Sequence, residues 1–254
     1  VPLPALELQK SVAEFLDREC SEIDSALMEY DRFADLIEER FQSQLQGIMR
    51  GSSLAKQHLK TIVNSIRFGS TPSTKVPEYF ESLDIPWRGP SDVEDGLSLP
   101  CAKPTRFVDQ KAARDGVVRV LEPGTTLLVG IGATIGKSGM LTDSGTTNQQ
   151  IAALDPDRSR VRPEYLAWLI RSLREEIRET APNTTLPIVS TSKIGSLRVP
   201  VPTLNVQQQI AERLDAAAHH ADALKTEVGT QKLLLQDRKQ ALITAAVTGQ
   251  LEVS

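Results

Sequence analysis

Residues 1–17 read VPLPALELQKSVAEFLD and residues 199–215 read VPVPTLNVQQQIAERLD. At this offset of 198 positions nine of the seventeen residues are identical, among them Pro2/Pro200, Pro4/Pro202, Gln9/Gln207, Glu14/Glu212 and Asp17/Asp215. The correspondence thins but continues through Asp24/Asp222, Arg40/Arg238, Gln42/Gln240 and Gly51/Gly249. Two copies so far apart do not make a solenoid, whose repeats stack on their immediate neighbours. One element is used twice, with a segment of different character between the copies.

Each copy opens on Pro-x-Pro. Proline lacks the donor N–H and disfavours helix at the residue before it, so a helix can begin only after Pro4 and after Pro202. In the first copy Cys20, Leu27, Ala34, Phe41 and Ile48 recur every seven residues, with Leu16, Ile23, Tyr30 and Ile37 as a second series. This is the narrow apolar stripe of a coiled coil. In the second copy Leu214, Ala221, Val228, Leu235 and Leu242 repeat at seven, joined by Ile210, Ala217 and Leu224. That seam is weaker and carries Gly229, which costs about 1 kcal/mol relative to Ala inside a helix. About 40 residues at 1.5 Å each give helices roughly 60 Å long. Stripes of that length need a partner: each other or another subunit, with the core of the helix's own domain as the alternative.

The segment between the copies is punctuated by turn residues, as in FGSTPSTKVPEYF, IPWRGPSDVEDG, EPGTT and TDSGTTNQQ. The short apolar runs VVRVL, TLLVGI, QQIAAL and LPIVS read as strands. RPEYLAWLIRSLREEIRETA reads as an amphipathic helix, with Pro163 in its first turn and Leu166, Leu169, Ile170, Leu173 and Ile177 on one side. The expected fold class is α+β, a mixed α/β domain over residues 55–196. It is flanked by long helices over 1–54 and 197–254 that form an antiparallel coiled coil.

The 254 residues, 40% hydrophobic and 24% charged, describe a soluble globular chain without the run of apolar residues that a membrane span needs. No basic-then-apolar signal segment opens it. Two distant cysteines, Cys20 and Cys101, fit a reduced, cytoplasmic protein. The net charge of −4 divides into −6 over residues 1–54, +2 over 55–196 and 0 over 197–254. Only the middle segment is positive, which permits nucleic-acid binding there without requiring it.

Residues 129–139, VGIGATIGKSG, end like a P-loop. That motif needs G-x-x-x-x-G-K-[ST] between a strand and a helix. Here Gly132 leaves three residues before Gly136 and Gly130 leaves five, and the GMLTDSGTTN that follows cannot start a long helix. A structural turn or ligand-contacting loop is expected instead.

The repeat and the middle segment together resemble the specificity (S) subunit of type I restriction–modification enzymes. VPVPTLNVQQQIAERLD is similar to that family's lead-in to a spacer helix. GSTPS (69–73), IPWRGPSDV (85–93), PGTTLLVGIGATIGKSG (123–139), TTNQQIAAL (146–154) and TTLPIVSTSKIGSLRVPVP (184–202) follow the order of its target recognition domain. The resemblance covers nearly the whole chain. It departs in one respect: a usual member alternates two recognition domains with two helical regions, and this chain has helix, one domain, helix. A fragment lacking its first recognition domain, or a half-subunit that pairs with a copy of itself as a homodimer, is the expectation.

The resemblance implies a non-catalytic reader of double-stranded DNA. It implies no cofactor on this chain: S-adenosylmethionine is expected on a partner methyltransferase subunit docked on the helices, with restriction subunits joining in the full complex. Base edges are read by hydrogen bonds while phosphate contacts set register. The candidate DNA-binding residues are Ser70, Thr71, Ser73 and Lys75; Arg88 and Ser91 beside Trp87; Lys103, Arg106, Thr134, Lys137, Asn148 and Gln149; and Thr184 and Thr185. The coiled-coil and partner positions are Leu16, Cys20, Ile23, Leu27, Tyr30, Ile37, Phe41, Leu214, Ala221, Leu224, Val228, Leu235 and Leu242. If recognition domains sit at opposite ends of the coiled coil, its length acts as a ruler between two half-sites.

No N-P-P-[YF] tetrapeptide is present, and DQK (109–111) lacks the preceding Pro-Asp of a nuclease. His58, His219 and His220 lack metal-ligand spacing. A coiled-coil scaffold for protein ligands is the competing class, an NTPase a third. The specificity module of a fused single-chain enzyme is a further possibility.

Overall fold

The computed structural model describes residues 5–50, 56–82, 84–94, 96–182 and 187–250. In chain order the regular elements are α1 (Leu6–Arg50), β1 (Lys56–His58), β2 (Val63–Phe68), β3 (Ile85–Arg88), β4 (Phe107–Val108) and α2 (Gln110–Arg114). They continue with β5 (Thr126–Val129), β6 (Ser138–Met140), β7 (Thr146–Thr147), β8 (Ile151–Pro156) and α3 (Pro163–Ser172). The last are α4 (Arg174–Thr180), α5 (Thr191–Ser196), β9 (Arg198–Pro200) and α6 (Leu204–Val247). The long helices start at equivalent repeat positions, Leu6 and Leu204, each two residues beyond the second proline of its copy. Two compact units result: Val1–Phe41 with His220–Ser254, and Gln42–His219. No described helix is long and apolar enough to cross a membrane.

In the helical unit the direction of pairing is fixed by charge. Lys225 lies 2.5 Å from Glu38, Lys232 pairs with Asp31, and Lys239 holds both oxygens of Asp24 at 2.6 and 2.7 Å. Each step of seven along α6 is a step of seven back along α1, so the helices are antiparallel. On α1, Ile23, Ile37 and Phe41 are buried and Leu16, Cys20, Leu27 and Tyr30 half-buried, which is the expected stripe. On α6, Ala221 and Val228 are buried and Leu235 and Leu242 half-buried. The second α6 series departs from expectation. Leu224 is 37% exposed, and the inward row runs one residue later, through the half-buried Lys225, Lys232 and Lys239 to buried Ala246. Lysine stems lie along apolar surface while their heads reach the α1 carboxylates, a seam that hydrophobic periodicity does not register.

The second unit is built on an antiparallel sheet of order β2-β8-β5-β6. Val129, Leu127, Ile151 and Ala153 form one core with Val93 and Leu141. On the same sheet α3 packs against β5 and β6, its Tyr165, Leu166, Trp168, Leu169 and Ile170 all essentially buried. A smaller sheet of order β4-β3-β7 pairs β3 antiparallel with β4 and parallel with β7. A third pairs β1 with β9. Fully buried Gln207 anchors the start of α6 in this unit. Its Oε1 accepts from Arg162 N at 2.8 Å, and its Nε2 donates to Pro202 O at 2.8 Å and Arg160 O at 3.0 Å.

Three local expectations are corrected. VVRVL forms no strand: Val117 and Val118 donate their N–H groups back to Ala112 O, closing α2, and only Leu121 bridges to Gly145. LPIVS contributes, within its described part, a single bridge from Ile188 to Ile131. The amphipathic helix is two helices, because Leu173 N is shared between Leu169 O and Ile170 O and so tightens the turn. The P-loop-like stretch is the turn of the β5–β6 hairpin, with Gly132 and Gly136 at φ +98° and +92°. Ser138 lies in β6, so no helix N-terminus follows to receive a phosphate.

Candidate nucleic-acid interface

In the second unit, the polar loops spread along the sequence meet through backbone bonds. β2 ends at Phe68, and the Gly69-Ser70-Thr71 turn that follows is held by Gly69 N to Ile151 O and Ser70 N to Thr147 O, each 3.0 Å. Trp87 of β3 donates its indole N–H to Ser70 O at 3.1 Å. Asn148 N, just past β7, donates to Arg88 O at 3.0 Å. Thr71 Oγ1 donates to Gln149 Oε1. Three segments about 80 residues apart at the extremes thus form one polar cluster.

Arg106 joins it across the small sheet. One register step past Ile85↔Val108 and Pro86↔Phe107, Trp87 N donates to Arg106 O at 2.9 Å. Cross-strand neighbours share a face, and the Arg106 guanidinium carbon stands 4.9 Å from the centroid of the Trp87 ring. Arg106 Nη2 lies 3.5 Å from Asp92 Oδ2; the Asp92 side chain is only 4% exposed and also accepts from Gly89 N at 2.8 Å.

The other sequence-derived candidates divide. Ser70 is half-buried and donates its hydroxyl to Val117 O, while Thr71 and Gln149 are exposed. Asn148 is 7% exposed, and its side chain is taken up locally: Oδ1 accepts from Gln150 N at 3.0 Å and Nδ2 donates to Gln150 Oε1 at 3.1 Å. Ser73 and Lys75 are exposed further along the first loop, where Ser73 Oγ accepts from Lys75 N. Ser91 and Lys103 are exposed. Thr134 and Lys137 sit in the β5–β6 turn, whose Gly136 faces Arg174 and Arg178 of α4, and among the described residues no hydrogen bond joins them to the cluster. Thr184 and Thr185 lie outside the described residues.

Arg88 requires a correction. Its side chain is 3% exposed and its Nη2 bonds Asp143 Oδ1 at 2.8 Å, so it tethers β3 to the β6–β7 connection from inside. A solvent-facing donor is not available there. Cys101, half-buried near Arg88 and Arg171, has its thiol pushed up to about 12 by desolvation, against the lowering pull of both guanidiniums. It is an inert packing group. Gln150 and Asp92 were not singled out in the sequence. The only hint of Gln150 was its place after Asn148-Gln149, and Asp92 reads as one acid among many until its partners are seen. Among the described residues no group of three or more His, Cys, Asp or Glu could hold a metal ion.

Residues 56–231, which contain every member of this cluster, match the type I restriction modification DNA specificity domain. The chain belongs to that family. Among type I specificity subunits, that of the MjaIX enzyme of Methanocaldococcus jannaschii is 30% identical over 59% of this chain and 34% of its own length. That of EcoR124I/EcoR124II from Escherichia coli is 26% identical over 58% of this chain and 37% of its own. The EcoBI subunit from Escherichia coli aligns with 99% of this chain at 20% identity, using 58% of itself. The chain therefore spans between a third and three-fifths of these relatives. Two solved structures share the type I specificity fold. One, from work on assembly and conformational transition of a type I system, gives a TM-score of 0.76 at 21% identity over 97% of this chain and 60% of that one. The HsdS subunit from Thermoanaerobacter tengcongensis gives 0.60 at 20% identity over 99% of this chain and 61% of its own. The family is one of specificity components, in keeping with the expectation that this chain carries no catalytic role.

Proposed function

We propose that this chain reads one half of a bipartite DNA target for a type I restriction–modification system, while its long helices dock methyltransferase subunits that carry S-adenosylmethionine. The observation that carries the reading is the convergence of Ser70, Thr71, Trp87, Arg106 and Gln149, from four separated segments, on one polar cluster. Hydroxyl, amide and guanidinium groups on a rigid sheet are what base-edge recognition uses. Restriction subunits join in the full complex.

The repeat supports a second recognition domain. In the second copy Gln207 and Ala211 are buried in the recognition unit, whereas Gln9 and Ala13 at the same repeat positions are exposed. The first copy then offers an equivalent seat, filled by another recognition domain of a longer protein or of a second chain. The acidity of the first helix is partly engaged with α6 lysines; the rest suits a protein partner better than phosphate.

The test is methylation mapping in cells that co-express this chain with the methyltransferase subunit of its own system. A new two-part motif is expected, with identical inverted halves if two copies pair. No new modified motif, with both proteins soluble, overturns the reading and favours a protein-binding scaffold.

A further inference from the structure

We propose that Arg106 reads a guanine, its guanidinium donating to O6 and N7 of one base in the major groove. The inference rests on the DNA-reading function above and names the residue and base that give part of its specificity.

Arg106 is held like a reading head. Its guanidinium stacks 4.9 Å over the Trp87 ring, and the indole is itself fixed by donating to Ser70 O at 3.1 Å. Its Nη2 is anchored by the buried carboxylate of Asp92, which Gly89 N fastens at 2.8 Å and Thr105 Oγ1 at 3.3 Å. The guanidinium occupies the space where a Cβ on residue 89 would stand, so Gly89 makes the seat possible. The side chain nevertheless remains 45% exposed, and among the described residues Asp92 is its one hydrogen-bond acceptor. Five N–H donors in a rigid plane, one engaged with Asp92, leave a two-pronged edge for a ligand.

The same edge could clamp a phosphate, but its surroundings favour a base. Asp92 already supplies a negative charge to the guanidinium, which weakens its pull on a second anion far more than on the neutral acceptors of guanine. Asn148 Nδ2 would be 3.7 Å from that Cβ on residue 89, so neutral amide polarity borders the seat. Lys75 and Lys103, exposed and not stacked on a described aromatic ring, are better suited to phosphate.

The experiment selects DNA from a pool of duplexes with a randomised segment, using the full chain, Arg106→Lys and Arg106→Gln, and measures the salt dependence of binding for each. The wild-type chain is expected to enrich a motif containing a guanine that both variants read less well, by roughly 5- to 150-fold. The other motif positions should persist, which also shows that the variants are folded. An unchanged motif overturns the inference. So does an equal loss on all sequences with the salt slope reduced by about one, which marks a phosphate contact. A wild-type chain that selects no sequence overturns the DNA-reading function itself, and is thereby distinguishable from failure of Arg106 alone.

Discussion

Trp168 donates its indole N–H to Asp215 Oδ1 at 2.8 Å, joining α3 to the first turns of α6 within the second unit. Asp215 closes the repeated seventeen-residue stretch, so a residue legible only as part of a repeat proves to be a docking point. Its carboxyl is held above the ordinary aspartate range by desolvation, which outweighs the lowering effect of the indole bond.

That direction sets a pH dependence. A raised folded-state pKa means the native protein holds this proton more tightly than the unfolded chain. The stabilising contribution is full below the unfolded value of about 3.9 and is lost as pH rises through the folded value. Asp215→Asn keeps an oxygen for the indole and removes the buried charge. Chemical denaturation from acidic to neutral pH should show Asp215→Asn gaining on wild type as pH rises, then levelling off. A difference independent of pH would show that this carboxyl ionises in the fold as it does in the unfolded chain. Comparing variant with wild type cancels the opposite contributions of Asp109 and Asp157, whose pKa values are lowered by hydrogen bonds from serine side chains and backbone.

The ion-pair ladder gives a second test. Lys232→Glu places like charges opposite Asp31 and should destabilise the chain by about 0.5–1 kcal/mol, weakened by salt because the pair is partly exposed. Adding Asp31→Lys should recover most of the loss. Urea melts of the two single variants and the double variant give the coupling. Strictly additive effects would mean that the ladder does not set the register.

Gly229 lies within α6, and a Cβ there would meet nothing within 4 Å. Gly229→Ala should therefore stabilise the protein by about 0.5–1 kcal/mol through helix propensity and a less flexible unfolded chain. Denaturant midpoints measure it directly. Destabilisation would show that this site needs backbone freedom or an approach by a partner.

The long helices were legible because their signals are local and periodic: Pro-x-Pro to start, and a seven-residue stripe from Leu16 to Ile48 to pair. The α6 register was not. Its inward row uses Lys225, Lys232 and Lys239, which count as polar until the α1 carboxylates opposite them are known. Within the domain, TLLVGI and QQIAAL gave strands because both sheet faces are buried there, whereas VVRVL was captured by the end of α2. Residue type alone proposes Ser70, Arg106 and Gln149 as candidates, and tertiary pairing brings them together around Trp87 of β3. It misplaced Arg88, because nothing local distinguishes an arginine that faces solvent from one that points inward at Asp143.

The Arg88–Asp143 pair should respond asymmetrically. Arg88 is buried and, among the described residues, its Nε and Nη1 find no hydrogen-bond partner, while the Asp143 side chain is 47% exposed. Arg88→Met leaves a carboxylate that water can solvate. Asp143→Ala leaves a guanidinium inside without its counter-charge, at about 1–3 kcal/mol once the exposure of Asp143 is discounted. Thermal melts should therefore rank Asp143→Ala as the more destabilised variant. The reverse order would mean that Arg88 matters for packing rather than for charge.

Gly89→Ala separates the seat of Arg106 from the residue itself. Gly89 has φ −106° and an extended ψ, a conformation open to alanine, so the backbone is not strained by the change. What an added methyl meets is the Arg106 guanidinium, the movable end of a long side chain. Stability should thus fall by less than about 1 kcal/mol, in the range of ordinary substitutions away from the core. The guanidinium, displaced from between Trp87 and Asp92, should lose its fixed geometry. Duplex selection with Gly89→Ala should then weaken the same guanine preference that Arg106→Gln weakens, and no other. If the alanine variant selects the wild-type motif at wild-type strength, the stacked and anchored position of Arg106 is not what gives it specificity.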